Sequence, residues 1–145
     1  MVRLRNILCA VDYSRCSMEA LAYAIHFALK SSAKLYLLYI IDMRHFDDFP
    51  PFEYPGPESE TVSRMKKELA LKVSDEVKSK INVDTIVTAG TPVQRILSIA
   101  RERDVDMIVM GTHGRTGVAR AVMGSVAANV LKRANCAVLT VRWPG

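Results

Sequence analysis

Residues 109–125, V-M-G-T-H-G-R-T-G-V-A-R-A-V-M-G-S, hold four of the chain's seven glycines. An apolar run ends at Gly111 and a helical pattern begins near Gly124, so these glycines fall in a strand-to-helix connection. Backbone N–H groups in such a connection can turn towards a bound anion, because glycine has no side chain in the way. Residues 111–145 contain no Asp or Glu, which also favours an anionic ligand. The alternative, that the glycines only form turns, explains Gly117 more easily than the whole set.

The spacing of the glycines excludes two common phosphate-binding motifs. A P-loop requires a lysine after its last glycine, but Gly124 is followed directly by Ser125. The pair Gly111 and Gly114 does not fit the G-x-G-x-x-G pattern of dinucleotide-binding folds. What remains is G-x-x-G, nine residues, and then G-S.

Preceded by V-D-M-I-V-M and followed by V-A-A-N-V-L-K-R-A-N-C-A-V-L-T-V-R, this pattern resembles the ATP-binding motif of the universal stress protein family. The resemblance implies that Gly111 and Gly114 line the nucleotide and that Gly124 and Ser125 meet its phosphates. The residues expected at the nucleotide are Asp12, Ser14, Ile40, Met110, Gly111, His113, Gly114, Arg115, Gly124, Ser125 and Val126.

A second element of the site lies near the N-terminus. Asp12 in V-D-Y-S resembles the D-x-S element of the same family, which implies that its carboxylate accepts hydrogen bonds on the base or ribose side. Ser14 is close enough in sequence to reach a phosphate. Ile40 occupies the position whose backbone reads the adenine edge in that family. A purely structural role for Asp12, as an acid at a helix start, is the competing interpretation.

Alternating strands and helices predict an α/β fold: one domain over residues 1–145 with helices on both faces of a five-stranded parallel sheet. We expect this sheet to be doubly wound and Rossmann-like, with the strand order 3-2-1-4-5. Apolar runs place the strands at residues 6–12, 33–42, 83–88, 107–111 and 137–142. In this order the reversal lies between strands one and four, so Asp12 and Gly111 should meet in one crevice.

Helical stripes separate the predicted strands. Ser14 or Ser17 is suited to cap the first helix. One stripe, at residues 62, 65, 69, 73 and 77, predicts a single helix. In the next, Thr91 can cap, Pro92 fits the first helical position and Gln94 completes a capping box.

Composition narrows the class of protein. Half of the 145 residues are hydrophobic, yet no apolar run is long enough to span a membrane, and the N-terminus lacks a signal-peptide cleavage site, so we expect a cytoplasmic protein without membrane contact. Three cysteines without metal spacing indicate reduced thiols and no metal site in the protein, with Cys9 in the core. The net charge of +5 is spread out and lacks a recognition motif, so no nucleic-acid partner is predicted.

Residues 43–60 break the alternation. They hold four of the six prolines and the aromatic residues Phe46, Phe49, Phe52 and Tyr54. The segment is too long for an ordinary strand-to-helix connection. It is either a disordered surface insertion or a loop whose aromatic residues pack on a partner or, as a lid, over the base side of the ligand.

The residues favour a binding protein over an enzyme. The glycine-rich region has no Walker lysine and no acid, and His113, although it could act as an acid or base, is a loop histidine beside glycines. Arg115 and Arg120 suit phosphate contacts. We therefore predict a switch that binds ATP or AMP and signals to an unidentified regulatory protein. The alternatives are a slow ATPase or phosphotransferase using Mg²⁺ or Mn²⁺ held by the phosphates, and a nucleotide-free scaffold.

The last predicted strand lies at a sheet edge. Residues 137–141 carry no charge and no proline, so they lack the usual protection against pairing with another chain. Antiparallel pairing of two copies predicts a homodimer, which the family resemblance also implies. The competing possibility is that Trp143 folds back over the edge.

Overall fold

A computed structural model describes residues 1–45, 56–114 and 123–143. In these segments strands and helices alternate along the chain. The strands are β1 (Asn6–Ala10), β2 (Lys34–Asp42), β3 (Val83–Gly90), β4 (Met107–Gly111) and β5 (Ala137–Val141). The helices are α1 (Arg15–Ser31), α2 (Glu60–Ala70), α3 (Asp75–Lys80), α4 (Pro92–Glu102) and α5 (Ser125–Arg133), with a short 3-10 turn at Met43–His45.

The strands form one sheet in the order β3-β2-β1-β4-β5, and every neighbouring pair is parallel. Leu8 in the central strand aligns with Tyr36 on one side and with Ile108 on the other. Such a strand is buried on both faces, which is why its sequence reads as a continuous apolar run. The predicted fold class and strand order are confirmed.

Each face of the sheet carries its own apolar core. Ile7 and Cys9 point to one face, where they pack with Leu21 of α1 and Val62 of α2. Leu8 points to the other face and packs with residues of α4 and α5, among them Ile96 and Val130. Helices therefore cover both faces, as predicted.

Cys9 lies at the centre of the first core and is fully buried. Burial raises the pKa of its thiol to about 12, because a thiolate would lose its hydration there. Cys9, Cys16 and Cys136 are all free thiols.

Several predicted strand ends were wrong by one or two residues. β1 ends at Ala10, because the N–H of Asp12 leaves the ladder and donates to Ser17 Oγ at 3.2 Å. β2 begins at Lys34, one residue late. β3 runs on to Gly90, and β5 stops at Val141.

The prediction of one helix over residues 62–77 was also wrong. α2 ends at Ala70, and α3 begins after Ser74, whose side chain accepts a hydrogen bond from the N–H of Val77. The apolar stripe survives because Val73, in the connection, is still buried in the same core. The helical spacing of the apolar residues therefore gave no sign that the helix is interrupted between α2 and α3.

The capping predictions had mixed outcomes. Ser14 caps α1 and accepts a hydrogen bond from Ser17 N at 3.1 Å. Pro92 is the first residue of α4, as predicted, but Thr91 makes no side-chain capping bond, so the capping box does not form. No helix within residues 1–45, 56–114 and 123–143 is long and apolar enough to cross a membrane.

Candidate functional site

The site begins where β1 leaves the sheet while its neighbours continue. The N–H of Val11 donates to Leu38 O at 2.8 Å, beyond the last paired residue of β1. Backbone groups along a strand alternate in direction with a period of two residues. The N–H and C=O of Ile40 therefore face the side that β1 has left. The crevice lies above the end of β1, at the reversal of strand order.

The end of β4 borders the same space from the other side. Thr112 N donates to Val141 O at 2.9 Å, so Thr112 faces β5. By the same alternation, the backbone of Gly111 faces the β1 side. Ile40 and Gly111 thus turn their backbone groups towards one crevice, although they lie 71 positions apart in the sequence.

Asp12 stands at the entrance to this crevice. Its Oδ1 accepts a hydrogen bond from Ser14 N at 2.9 Å. Tyr13 between them has a φ of 65°, so the chain turns sharply into α1. A Cβ atom added to Gly114 would lie only 2.9 Å from Asp12 Oδ2. The structure therefore brings Asp12 and the glycine-rich segment together, as the strand order predicted.

Ser14 is partly committed to the helix that it caps. Its Oγ accepts the N–H of Ser17, so the hydroxyl oxygen is engaged, while its O–H group can still donate to a ligand. Contact between Ser14 and a phosphate stays a prediction.

Thr112 holds the two ends of the glycine-rich segment together. It is 5% exposed, its carbonyl accepts the N–H of Gly124 at 2.7 Å, and its Oγ1 lies 2.9 Å from His113 Nδ1. A Cβ on Gly124 would stand 3.0 Å from Thr112 O. Sequence reasoning missed Thr112, because no local pattern indicates that a threonine between glycine and histidine is buried and hydrogen-bonded to both ends of the segment.

The start of α5 supplies backbone donors that have no acceptor within the helix itself. Gly124 is the capping residue and has no side chain to bond the helix end. The N–H groups of the first three helical residues, Ser125, Val126 and Ala127, have no acceptor within an α-helix. The N–H of Gly124 itself donates to Thr112 O at 2.7 Å, and contact between Gly124 and a phosphate stays a prediction.

Close packing against Cys16 explains why residue 111 is a glycine, independently of any ligand. A Cβ atom there would lie 2.8 Å from Cys16 Sγ and 2.9 Å from the backbone carbon of Cys16. Cys16 also donates its S–H to Val141 O at 3.0 Å. These contacts fix the start of α1 against β4 and β5. Sequence reasoning missed Cys16, because its partners lie about a hundred residues away.

The remaining predicted residues are placed as follows. Met110 is 5% exposed, and its side chain belongs to the core on the α4 and α5 side, so it is not brought into the open crevice. Val126 packs against the same core and offers only its backbone. Arg115 and Arg120 lie outside the described residues, as does most of the predicted lid (46–55).

Metal ligands are not assembled in the part of the chain that the structure describes. No group of three or more His, Cys, Asp or Glu side chains there could hold a metal ion. A divalent cation held through phosphates stays a prediction.

Comparison with known proteins identifies the family. The universal stress protein family model matches residues 3–142. The chain belongs to the universal stress protein family. A family relative, Universal stress protein MJ0531 of Methanocaldococcus jannaschii, is 33% identical over 145 residues, covering 97% of this chain and 83% of the relative. Universal stress protein MJ0577 of the same organism is 30% identical, covering 97% and 96%.

Solved structures of the family share the fold. The structure of MJ0577 superimposes with a TM-score of 0.72 at 27% identity, covering 99% of both chains. A universal stress protein in complex with cAMP gives a TM-score of 0.68 at 23% identity, covering 97% of this chain and 98% of that one. The Archaeoglobus fulgidus protein in complex with dAMP gives 0.63 at 23% identity, covering 97% and 99%.

Proposed function

We propose that residues 1–145 form one nucleotide-binding domain that takes up an adenine nucleotide, ATP by preference, in the crevice above β1. In this proposal the protein works in the cytoplasm as a stress-response switch whose bound nucleotide changes its affinity for a regulatory protein. The observation that carries the proposal is the meeting of Asp12, Gly114 and the start of α5 at one rim. Family structures that hold cAMP and dAMP support the adenine assignment.

The start of α5 suits the phosphates. The N–H groups of Ser125, Val126 and Ala127, which have no acceptor within the helix, and the positive end of the helix dipole together favour an anion without any side chain. A hydrogen bond to a charged group contributes about 1.5–3 kcal/mol, so two such donors would contribute about 3–6 kcal/mol towards the roughly 8 kcal/mol of a micromolar ligand.

The opposite wall of the crevice suits the nucleoside. The backbone of Ile40 presents one donor and one acceptor, which match the hydrogen-bonding edge of adenine. The carboxylate of Asp12 is partly exposed and lies beside Gly114, where ribose hydroxyls can donate to it. The nucleotide would thus span from β2 to α5 across the end of β1.

Titration calorimetry with ATP, AMP and GTP tests the proposal. We expect micromolar binding of ATP, weaker binding of AMP because fewer phosphates meet α5, and little binding of GTP. Mass spectrometry of molecules released from freshly purified protein identifies the ligand carried from the cell. If calorimetry shows no binding and no nucleotide is released from the purified protein, the proposal is rejected in favour of a nucleotide-free scaffold.

A slow ATPase or phosphotransferase is the second candidate. His113 supports it, because Thr112 Oγ1 lies 2.9 Å from its Nδ1 and orients the imidazole at the rim. Phosphate release would be measured with Mg²⁺ or Mn²⁺, for the natural protein and for His113→Gln. A rate that depends on the cation and falls in the variant favours the enzyme; no release above background favours the switch.

We also propose a homodimer through β5. Because Val141 O bonds towards β4, the N–H of Thr140 points to the open edge. Thr140→Pro should remove a donor from the dimer ladder while leaving the pairing with β4 intact. Sedimentation equilibrium should then change from dimer to monomer, whereas a natural protein already monomeric at micromolar concentration contradicts the proposal.

A further inference from the structure

A cavity of about 250 Å³ lies at the amino end of the sheet, opposite the crevice. β4 and β5 begin here, and α4 and α5 end here. The cavity opens between the last turns of these two helices. None of its lining residues belongs to the nucleotide crevice.

The floor of the cavity is apolar, and hydrogen bonds at the end of α4 hold it in place. Leu97, Val105 and Ile108 form it, and each is at most 7% exposed. Val105 is held there by the end of α4, where its N–H donates to Ala100 O at 2.9 Å. Asp104 turns the chain with a φ of 49° and donates to Arg101 O. The carbonyls at the end of α4 are thus satisfied within the protein.

The rim of the cavity carries two guanidinium groups. Arg101 comes from the last turn of α4 and Arg133 from the last turn of α5, and both are exposed. Within the described segments neither forms an ion pair with a carboxylate. Asp104 is the acidic residue of the lining, so positive charge exceeds negative charge at the mouth. The dipoles of α4 and α5, whose last turns both border the cavity, oppose an anion here, but each more weakly than a charged hydrogen bond attracts one.

We propose that this cavity binds a small organic carboxylate. Its apolar body would cover the floor, and its anionic group would be held by Arg101 and Arg133, because a guanidinium fork matches the two oxygens of a carboxylate. The volume lies below the roughly 300–1,000 Å³ of common ligand pockets, which restricts the body to a short chain or one ring.

Cys136 provides a reporter inside the lining. Its thiol is half-buried, and burial raises its pKa. It is therefore mostly protonated near neutral pH and reacts slowly with alkylating reagents. A molecule in the cavity should slow that reaction further.

Three probes of equal chain length test the proposal: hexanoate, 1-hexanol and hexylammonium. Each is titrated into ¹⁵N-labelled protein with and without ATP, so the result does not depend on the nucleotide proposal. We expect saturable shifts at the amides of Val105 and Cys136 with hexanoate, and roughly tenfold weaker binding of the other two probes. Hexanoate should also protect Cys136 from iodoacetamide.

Paired variants complete the test. Arg101→Gln combined with Arg133→Gln should weaken hexanoate binding roughly tenfold, since both charged contacts are lost. Arg64→Gln, at an exposed position on α2, makes the matched control and should leave binding unchanged. The proposal is overturned if hexanol or hexylammonium binds as tightly as hexanoate, if the double variant binds normally, or if no saturable shift occurs.

Discussion

The two ends of the sheet differ in the groups that they offer to a ligand. At the carboxyl end, the crevice is bordered mainly by backbone: the N–H groups at Ser125 and Val126 and the peptide groups of Ile40. At the amino end, the cavity is bordered by the side chains of Arg101 and Arg133 above an apolar floor.

The direction of α5 explains the difference. Its first turn presents unpaired N–H groups, and its last turn presents carbonyls. An anion at the first turn needs no basic side chain, whereas an anion at the last turn must be held by residues such as Arg133. The same helix therefore favours recognition by backbone at one end and by side chains at the other.

The largest expected effect comes from placing a negative charge at the start of α5. Ser125→Glu should weaken ATP binding roughly thirtyfold, or about 2 kcal/mol, because a carboxylate then competes with the phosphates for the same donors. The helix itself should be stabilised slightly, since an acid suits its first turn. Calorimetry is compared with Ser63→Glu, the same change at an exposed position of α2. Equal affinities in the two variants would mean that the phosphates do not lie at α5.

Two glycine substitutions at the carboxyl end distinguish a glycine needed for packing from a glycine needed for binding of the nucleotide. Gly111→Ala should destabilise the protein by about 1–3 kcal/mol, because its Cβ meets the backbone of Cys16. Among the residues that the structure describes, the Cβ of Gly114→Ala would meet a carboxylate oxygen of Asp12, which can move. The free energy of unfolding should therefore change less than in Gly111→Ala, while ATP binding weakens. Urea denaturation measures both variants. Similar losses of stability would show that both glycines serve packing.

The Cys9 thiol, which is buried in the sheet between its two ends, should make the stability of the protein depend on pH. Burial raises the pKa of Cys9 in the folded state to about 12, above its ordinary value of 9.0. The unfolded state therefore loses its proton first, and stability is retained below about pH 9 and falls as the pH rises towards 12. The slope from this thiol is about 1.4 kcal/mol per pH unit. Unfolding free energies at pH 8–10.5 should fall less steeply in Cys9→Ala, and identical slopes would contradict the assignment.

The smallest expected effect concerns the carboxylate at the crevice. Asp12→Asn retains an acceptor for Ser14 N but removes the charge, so ATP should bind roughly fivefold less tightly, or about 1 kcal/mol. Hexanoate binding at the amino end should not change. A variant that loses both would indicate a general disturbance of the fold, not a local contact.

Much of this architecture could be predicted from the sequence because it depends on local patterns. Apolar runs marked the five strands, and the last glycine of the motif marked the start of α5 at Ser125. A site that binds its ligand through the backbone requires glycines at fixed spacing, so the crevice could be predicted from a sequence motif. The cavity at the amino end has no such motif, because Arg101 and Arg133 lie 32 positions apart at the ends of two ordinary helices.

Tertiary structure decided how these segments meet. The alternation of strands and helices along the chain was enough to predict a parallel α/β sheet, and the expected order 3-2-1-4-5, which the structure has, then places Asp12 and Gly111 at one rim. It did not determine that Thr112 takes the N–H of Gly124, or that Cys16 requires glycine at position 111. Those contacts join residues that lie far apart in the chain, or across a loop, and no local pattern encodes them. Only close packing reveals which backbone groups remain free for a ligand.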